Sequence, residues 1–507
     1  MGTDPEELLT LVDRRDIRLW VEGDRLRYDA PQGALTPELR ARLREHKAQI
    51  IALVTERSAA GPNPTALREA PPSFAQRHFW SLQQLDPGGC FFNVPYAFHL
   101  RGTLDEGLLR RSVQEVFRRH ELLRTTLQLV DGVLTQVIHP AVEIDMASAD
   151  LGNVPAYDRA GEMTRLIDSE LARPFDLARD PCLRVRLFRL ADHDHVLFLC
   201  LHNVIVEDQS IVALLKELSA HYRATPLSPL SLQYADYARR QQRLLAMGMD
   251  ARLDYWRQWL AKGDPAPVTT AFAKPRSDMP TFRAGAIWHR FPLTMTERLG
   301  QLSRRADVTL FVTVLAGYAA VLSHYSGSAD ISVGGPASNR TSPELEPLIG
   351  STLSLIAYRF DLSGDPDFWT LLARVRATLV AALTNQDVPF VAVAPLLEPE
   401  LRRTSPLFRT ALNFSQYTAH HQLDLPEMNV TFLEEITNRE IRPDLFPVMW
   451  EDPLRGGALT CCLLYRQDLY DAETVSGLMA DYETLLTTMV DNPMLPISSV
   501  PLGGPHA

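Results

Sequence analysis

Apolar residues follow two different periods along the chain, and each period predicts a type of local structure. In "DEGLLRRSVQEVFRRHELLRT", "TLFVTVLAGYAAVLSHYS" and "PDFWTLLARVRATLVAALTN" they recur every three or four positions, which predicts helices. The runs "HVLFLCLHNVIV" and "DISVGGPAS" are short and continuous, which is typical of buried strands. Strands alternate with helices around residues 95–220 and again around 285–490, so the sequence predicts two α/β lobes.

A long polar–apolar segment, "LSLQYADYARRQQRLLAMGMDARLDYWRQWLA", separates the two alternating regions and predicts a helical connector. We therefore divide the main part of the chain into an N-terminal lobe (73–240), the connector (241–284) and a C-terminal lobe (285–507). A cleft between two such lobes is a common place for a binding site.

The first 57 residues predict a separate small α+β module. "PEELLTLVDRRD" predicts a helix, and "IRLWVEGDRLRY" predicts a β-hairpin around a Gly-containing turn. "TPELRARLREHKAQIIALV" predicts one further helix, with Thr36 as its N-cap and Pro37 in its first position. Residues 58–72 are rich in Ala and Pro and have no sustained period, so they are expected to form a linker.

Composition excludes several classes of protein. The net charge of −11 argues against a general nucleic-acid role and against adsorption to anionic membranes. We find no uninterrupted apolar run of spanning length, no signal peptide and no phosphate-binding glycine loop. The 5 cysteines show no metal-binding spacing, so no metal is expected and a cytoplasmic location fits best.

One stretch of candidate chemistry, "LCLHNVIVEDQS", covers residues 199–210. A strand-like apolar run ends in His202 and Asn203, and Glu207, Asp208 and Ser210 follow closely. From the residues alone, this cluster is a catalytic site, the remains of one, or a hydrogen-bonded strand end.

Eight motifs, in order, resemble those of the condensation domains of non-ribosomal peptide synthetases. They are "SFAQRHFWSL" (73–82), "RHELLRTTL" (119–127), "HNVIVED" (202–208), "YADYA" (234–238), "GGPASNR" (334–340), "IGSTLSLIAYR" (349–359), "NQDVPF" (385–390) and "RTSPLFRTALNFSQ" (403–416). The resemblance implies two chloramphenicol-acetyltransferase-like lobes in a V shape with a tunnel between them. No further catalytic domain is visible after the last motif, so a free-standing subunit is expected.

The resemblance also implies a reaction. Such domains transfer an acyl group from the thioester of an upstream carrier protein to an amine or a hydroxyl, and the second His of the motif H-H-x-x-x-D-G orients or deprotonates the acceptor. In this chain the first His is His202, and Asn203 stands in place of the second. Asn cannot accept a proton near neutral pH, and losing a general base lowers a rate by about 10²–10⁴-fold.

The remaining motif positions carry structural expectations. Glu207 replaces the motif's Asp and is expected to form an ion pair with Arg124, the last residue of "RHELLR". Asp208 replaces the motif's Gly, and Ser210 keeps the family's Ser. Asn339, Arg340 and Ser354 are expected at the tunnel or its latch. His202 is either a second catalytic group or a buried His bonded to the backbone, and Glu207 or Asp208 is the alternative source of a base.

Residues 1–57 resemble the N-terminal docking domains of the TubC type, which receive the C-terminal tail of an upstream protein of the assembly line. Arg18, Arg25 and Arg27 lie on the hairpin strands and suit an acidic tail. The alternative is an ordinary capping subdomain.

Two functions therefore stay open. The first is an active condensation enzyme that forms an amide or, less readily, an ester, and works in trans with a free or carrier-bound acceptor, which could release the chain. It would bind no cofactor itself, because the partner acyl or peptidyl carrier protein delivers the phosphopantetheine arm. The second is an inactive condensation-like module that binds carriers or recruits a tailoring enzyme.

Overall fold

The structure is a computed structural model, and it describes residues 8–9, 12, 17–22, 25–29, 35–60, 67–140, 143–246, 249–261, 273–277, 281–340, 342–386, 388, 393, 408–415, 423–434, 436–437 and 440–503. Its contacts divide the chain into two compact units, one of Met1–Arg68 with His139–Val142 and one of Glu69–Ile138 with Glu143–Ala507.

Sixteen strands are assigned in the described residues: β1 (Arg18–Glu22), β2 (Arg25–Asp29), β3 (Arg68–Ala70), β4 (Asn93–Gly102), β5 (Thr125–Val130), β6 (Val133–Ile138), β7 (Met146–Asp150), β8 (Leu183–Ala191), β9 (Asp194–His202), β10 (Ala284–Arg290), β11 (Asp330–Ala337), β12 (Ser354–Asp361), β13 (Asn413–Phe414), β14 (Met428–Phe432), β15 (Leu445–Asp452) and β16 (Ala458–Arg466).

The α-helices whose bounds are described are α1 (Pro37–Glu45), α2 (Lys47–Ala60), α3 (Phe74–Leu85), α4 (Glu106–Arg119), α5 (Arg159–Leu171), α6 (Asp208–Tyr222), α7 (Tyr234–Ala246), α8 (Met249–Ala261), α9 (Leu293–Arg305), α10 (Leu310–Ser326), α11 (Phe368–Thr384) and α12 (Ala472–Asp491).

The smaller unit contains the predicted β-hairpin. β1 and β2 form an antiparallel hairpin in which Glu22 lies opposite Arg25. The predicted first helix lies mostly outside the described residues, although its apolar positions are buried. One core unites the apolar positions of all these elements: Leu8, Leu9, Val12, Ile17, Leu39, Leu43, Ile50 and Val54.

The prediction of a single helix after Thr36 is wrong, because the chain forms α1 and α2 with a break at His46. The Thr36 side chain accepts a hydrogen bond from the Leu39 amide at 3.3 Å, which confirms the predicted N-cap. At His46 the backbone leaves the helical conformation, with φ −97° and ψ 17°. Leu43 before the break and Ile50 after it both lie in the core of this unit.

The first half of the larger unit contains a five-stranded sheet of order β14-β4-β9-β8-β7. One face of the sheet packs on α4 and α6 through apolar side chains that include Leu199 and Leu201 of β9, and the other face, with Phe198 and Cys200, packs on α5. β14 comes from the second half of the chain and pairs antiparallel with β4. The two halves therefore share a sheet.

A second sheet, of order β3-β6-β5, includes a strand that the sequence does not predict. β3 lies inside the segment expected to be a linker, and α2 also extends into that segment. Ala70 of β3 is buried, and the strand is held by pairing with β6. Three residues are too few for a periodic pattern to stand out in an Ala- and Pro-rich context.

The second half of the larger unit has a sheet of order β10-β16-β15-β13 and the hairpin β11-β12. Parallel bridges from Gly334 to Ala411 and from Thr410 to Leu445 connect the hairpin to that sheet. α10 lies in the core of this half, and 12 of its residues are buried, which explains why it is apolar on all sides. The alternating strands and helices confirm the predicted α/β class.

The predicted helical connector forms two helices, α7 and α8, with residues 247–248 outside the described part of the structure. Among the described residues no single helix is long and apolar enough to cross a membrane. α9 and α10 together meet that criterion by length and composition, but they are bent by 101° at the break between them.

Candidate active site

The motif of residues 202–208 lies where a central strand passes into a helix. β9 ends at His202, opposite Asn93 of β4, and residues 203–205 form a turn. α6 then begins at Asp208, with Glu207 as its N-cap residue. The motif is therefore held at one end by a sheet and at the other by a helix that packs on that sheet.

His202 is enclosed and bonded to the backbone. Its side chain lies among the rings of Phe79, Phe92 and Phe175, and it is 2% exposed. The Nδ1 atom accepts a hydrogen bond from the amide of Val204 at 3.1 Å. Burial, with a smaller effect from a nearby arginine, lowers the pKa of His202 to about 3, so the imidazole is neutral. This geometry favours a structural role for His202 within the turn.

Asn203 is held by a backbone hydrogen bond, whereas its side chain has no hydrogen-bond partner among the described residues. Its amide donates to the carbonyl of Phe92 at 2.9 Å, and its side chain is half-buried. Within the described part of the structure, the carboxamide makes no hydrogen bond. A polar side chain at this position is therefore available to a ligand.

Both carboxylate oxygens of Glu207 accept hydrogen bonds. Its Oε1 atom accepts from the Arg340 guanidinium and from the Thr352 hydroxyl at 3.0 Å, and its Oε2 atom accepts from the Thr352 amide at 2.9 Å. Burial raises the pKa of Glu207, and the hydrogen bonds from Arg340 and Thr352 oppose that effect. A carboxylate with both oxygens bonded in this way is poorly placed to act as a base.

The prediction that Glu207 forms an ion pair with Arg124 is wrong. Arg340 with Thr352 occupies both oxygens of Glu207, whereas Arg124 lies 3.9 Å from Glu121. In the described residues no ion pair joins Arg124 to Glu207. The motif helix is thus tied to the second half of the unit through Arg340.

Ser210 strengthens the same connection. Its hydroxyl accepts from the Gly350 amide and from Arg340, each at 3.1 Å, and lies 3.1 Å from the Gly350 carbonyl. Asn339, which precedes Arg340, donates to the Thr352 carbonyl at 3.1 Å and to the Ser354 hydroxyl at 2.8 Å. The residues expected at the tunnel or latch thus lie in one network with the motif.

The segment of residues 350–352 also contacts the motif that begins at Tyr234 and, through Tyr234, the motif that begins at Ser73. Ser73 and Gln76 form a capping box at the start of α3. The Ser73 hydroxyl lies 2.8 Å from the hydroxyl of Tyr234, which donates to the carbonyl of Ser351. A Cβ atom at Gly350, where φ is +149°, would lie 2.0 Å from the Tyr234 ring. Sequence reasoning did not single out Tyr234 or Thr352, although both lie in the motifs "YADYA" and "IGSTLS".

Asp208 makes a different contact between the halves. Its Oδ2 atom accepts from the Ser415 hydroxyl at 2.6 Å, and Ser415 follows β13 in the second half. Ser415 lies in the motif "NFSQ" but was not predicted as a partner. No ion pair to Asp208 is present among the described residues. Asp208 is therefore a half-buried carboxylate whose partner in the described residues is the Ser415 hydroxyl.

Two further motif positions have local roles. His120 of "RHE" lies 2.8 Å from Glu217 of α6. Burial raises the pKa of Glu217, but hydrogen bonds from His120 and Arg119 outweigh it and hold the pKa below its usual value. The Asn385 side chain donates to the Ala381 carbonyl at the end of α11, at 2.9 Å. Residues 387, 389–390, 403–407 and 416 of the last two motifs are outside the described residues.

The hairpin of the smaller unit carries the predicted arginines. Arg25 and Arg27 of β2 are exposed, whereas the side chain of Arg18 in β1 is outside the described residues. The Arg40 guanidinium lies 5.9 Å from the centre of the Tyr28 ring, and Tyr28 is 48% exposed. Cationic and aromatic groups therefore share the surface of this unit.

Comparison with known proteins identifies the family. The condensation-domain model matches residues 66–505, and the model of the TubC N-terminal docking domain matches residues 6–56. Chondramide synthase cmdD of Chondromyces crocatus and malpibaldin synthetase of Mortierella alpina are each 34% identical over 85% of the chain. The chain spans only about a tenth of these relatives, 11% and 8% of their lengths respectively.

A solved structure agrees with this assignment. The X-domain from teicoplanin biosynthesis is 27% identical, covers 87% of this chain and all of its own, and superposes with a TM-score of 0.75. The same X-domain in complex with OxyB is 28% identical over 87% of this chain and 98% of its own, with a TM-score of 0.74. Residues 66–505 thus belong to the condensation-domain family of the non-ribosomal peptide synthetases, and a TubC-type docking domain precedes them in the chain.

Proposed function

We propose that the chain transfers an acyl group from a carrier-protein thioester to an amine acceptor. One observation carries the proposal: the Asn203 carboxamide makes no hydrogen bond to any residue that the structure describes. It stands at the position of the family's second imidazole, on a turn that the Glu207–Arg340–Thr352 contacts hold in place. A collapsed site would be expected to fill such a position with an internal hydrogen bond.

Positioning supplies much of the rate in this proposal. Holding two reactants in reacting geometry contributes about 7–11 kcal/mol in favourable intramolecular cases. The Asn203 carboxamide can accept a hydrogen bond from an acceptor N–H and orient its lone pair. An amine with a pKa of about 8 is already partly neutral at cellular pH, whereas a hydroxyl needs a base. The altered motif therefore favours amide over ester formation.

The smaller unit would recruit the upstream partner protein. An extended acidic tail can add a strand to an exposed hairpin edge, and Arg25 and Arg27 suit its charge. The upstream acyl or peptidyl carrier would then present its phosphopantetheine arm, so this chain needs no cofactor of its own. The chain would act in trans, and a free acceptor amine would release the product from the carrier.

The proposal is tested with acyl-pantetheine thioesters and a panel of primary amines, each paired with the alcohol of the same skeleton. We expect the wild-type chain to form amides and to form esters far more slowly. Asn203→His is expected to raise ester formation by about 10²-fold because it restores a base. Absence of amide with the wild type would contradict the proposal, whether or not Asn203→His forms one.

A second candidate function is a binding module without catalysis. The observation in its favour is the 28% identity to the X-domain that is in complex with OxyB. In that case Asn203→Ala would leave the output of the assembly line intact, whereas deletion of residues 1–57 would abolish it. Loss of output in both variants supports catalysis.

A further inference from the structure

The two acidic residues of the motif differ in what surrounds them. Glu207 is 6% exposed and has hydrogen bonds to both oxygens, including those from a cation. Asp208 is half-buried and has one hydrogen bond, to Ser415, which leaves Oδ1 without a partner among the described residues. Asp208 keeps part of its surface exposed, so Oδ1 is accessible to a ligand, whereas both oxygens of Glu207 already accept hydrogen bonds.

Asp208 begins α6, the helix that packs on one face of the five-stranded sheet. Leu199 and Leu201 of β9 face the core that contains α6, and Asn203 follows the strand in the turn of residues 203–205. Tyr96 lies in the same core. Burial raises the pKa of Tyr96, and the Asp208 charge raises it further. His202 lies among the rings of Phe79, Phe92 and Phe175.

The fold stabilises a carboxylate at this point. Asp208 is the first residue of α6, and the N-terminus of a helix carries a partial positive charge. The Ser415 hydroxyl fixes the side chain through Oδ2. The other oxygen is consequently oriented without being consumed by an internal bond.

We propose that Asp208 is a catalytic residue that accepts the proton of the acceptor amine through Oδ1, in place of the imidazole missing at position 203. This inference rests on the proposed function. The amine nitrogen attacks the thioester carbonyl and a C–N bond forms. The nitrogen gives its proton to Asp208, the C–S bond breaks, and Asp208 returns the proton to the departing thiolate. The products are an amide and a thiol.

The mechanism also selects acceptors. A nitrogen becomes strongly acidic once it has attacked the carbonyl, so a carboxylate is a sufficient base for it. A hydroxyl must lose its proton from a far weaker acid, for which a carboxylate is a poor base. Asp208 therefore specifies amine acceptors, and it gives the motif's Gly-to-Asp replacement a chemical role.

The test compares Asp208→Asn and Asp208→Gly with the wild type in the thioester and amine assay, and adds sodium formate as an external carboxylate with sodium chloride as the ionic control. Asp105→Asn is the matched control, because Asp105 caps α4 through its bond to Leu108 at 2.8 Å. We expect both Asp208 variants to lose about 10²-fold in kcat, the control to stay within about twofold, and formate to restore part of the rate of Asp208→Gly alone.

The outcomes separate this inference from the proposed function. If the wild type forms no amide, the proposed function fails and the role of Asp208 fails with it. If the wild type is active and the Asp208 variants are equally active, Asp208 has no catalytic role while the proposed function stands. Slow variants that formate does not rescue, or whose urea midpoints fall, would reduce Asp208 to a structural contact and also overturn the inference.

Discussion

At the scale of single residues, the buried contact between Glu207 and Arg340 joins the motif helix to the second half of the larger unit. The two side chains are 2% and 5% exposed, so neither charge can be hydrated if the other is removed. We expect Arg340→Met to lower the free energy of unfolding by about 3–5 kcal/mol, and the double variant with Glu207→Gln to be clearly more stable than Arg340→Met. Urea unfolding measures both.

An exposed ion pair provides the control for that cycle. Arg298 and Asp491 form an ion pair with side chains 44% and 47% exposed. Arg298→Met is expected to change the free energy of unfolding by about 0–1 kcal/mol. Equal losses for Arg298→Met and Arg340→Met would show that the buried pair has no special role.

His202 gives the fold a dependence on pH. An unfolded His has a pKa of about 6.5, whereas burial lowers that of folded His202 to about 3. Between these values the unfolded chain binds a proton that the folded chain does not, so stability falls as the pH falls. From about pH 7 to about pH 5.5, the wild type is expected to lose about 1 kcal/mol more than His202→Gln. Parallel losses in urea unfolding would contradict this.

The residue scale also shows what a sequence can predict. Asn203, Glu207 and Ser210 could be placed because they lie in one short motif. The partner of Glu207 could not, because Arg340 is 133 positions away and Arg124 is equally charged. Only the folded chain decides which guanidinium reaches the carboxylate.

At the scale of elements, the segment 350–352 joins the two halves of the larger unit. Gly350 has φ +149°, and a Cβ atom there would lie 2.0 Å from the Tyr234 ring. Gly327, after α10, has φ +64° and open space around it. Gly327→Ala is expected to cost about 1–2 kcal/mol from backbone strain alone. Gly350→Ala should cost more, because Tyr234 must also move.

The measurement for this comparison is the urea midpoint of each variant, together with amide formation. Gly350→Ala is expected to lower both, since Tyr234, Ser73 and Ser351 share one chain of contacts. Gly327→Ala should leave the rate of amide formation unchanged. A Gly350→Ala chain as stable and as active as Gly327→Ala would show that the segment tolerates displacement.

Helices with a strong apolar period could be predicted from the sequence, whereas elements that depend on contacts with neighbouring elements could not. α10 begins one residue after its N-cap Thr309 and runs to Ser326, as its apolar run predicts. The break at His46 and the strand β3 were missed, because local sequence favours one helix in the first case and no structure in the second. The packing of neighbouring elements decided both.

At the scale of the whole molecule, the smaller unit and the condensation domain are expected to have separable roles. The smaller unit has a hydrophobic core of its own. Deletion of residues 1–57 should leave the rate with small acyl-pantetheine thioesters within about twofold, and should lower the rate with a tailed carrier protein by at least about tenfold, because docking raises the effective concentration. Equal rates with the carrier before and after deletion would exclude recruitment by this unit.

The central claim is that the chain moves an acyl group from a carrier to an amine. The most direct measurement is the intact mass of an acyl-loaded carrier protein after incubation with the chain and an amine. The carrier has the acidic C-terminal tail that residues 6–56 are proposed to receive. The account predicts that the carrier mass falls to that of the free phosphopantetheine form while the acyl amide appears, and that both changes are slower with Asp208→Asn. A carrier that keeps its acyl group while bound to the chain would contradict the account and favour a binding module.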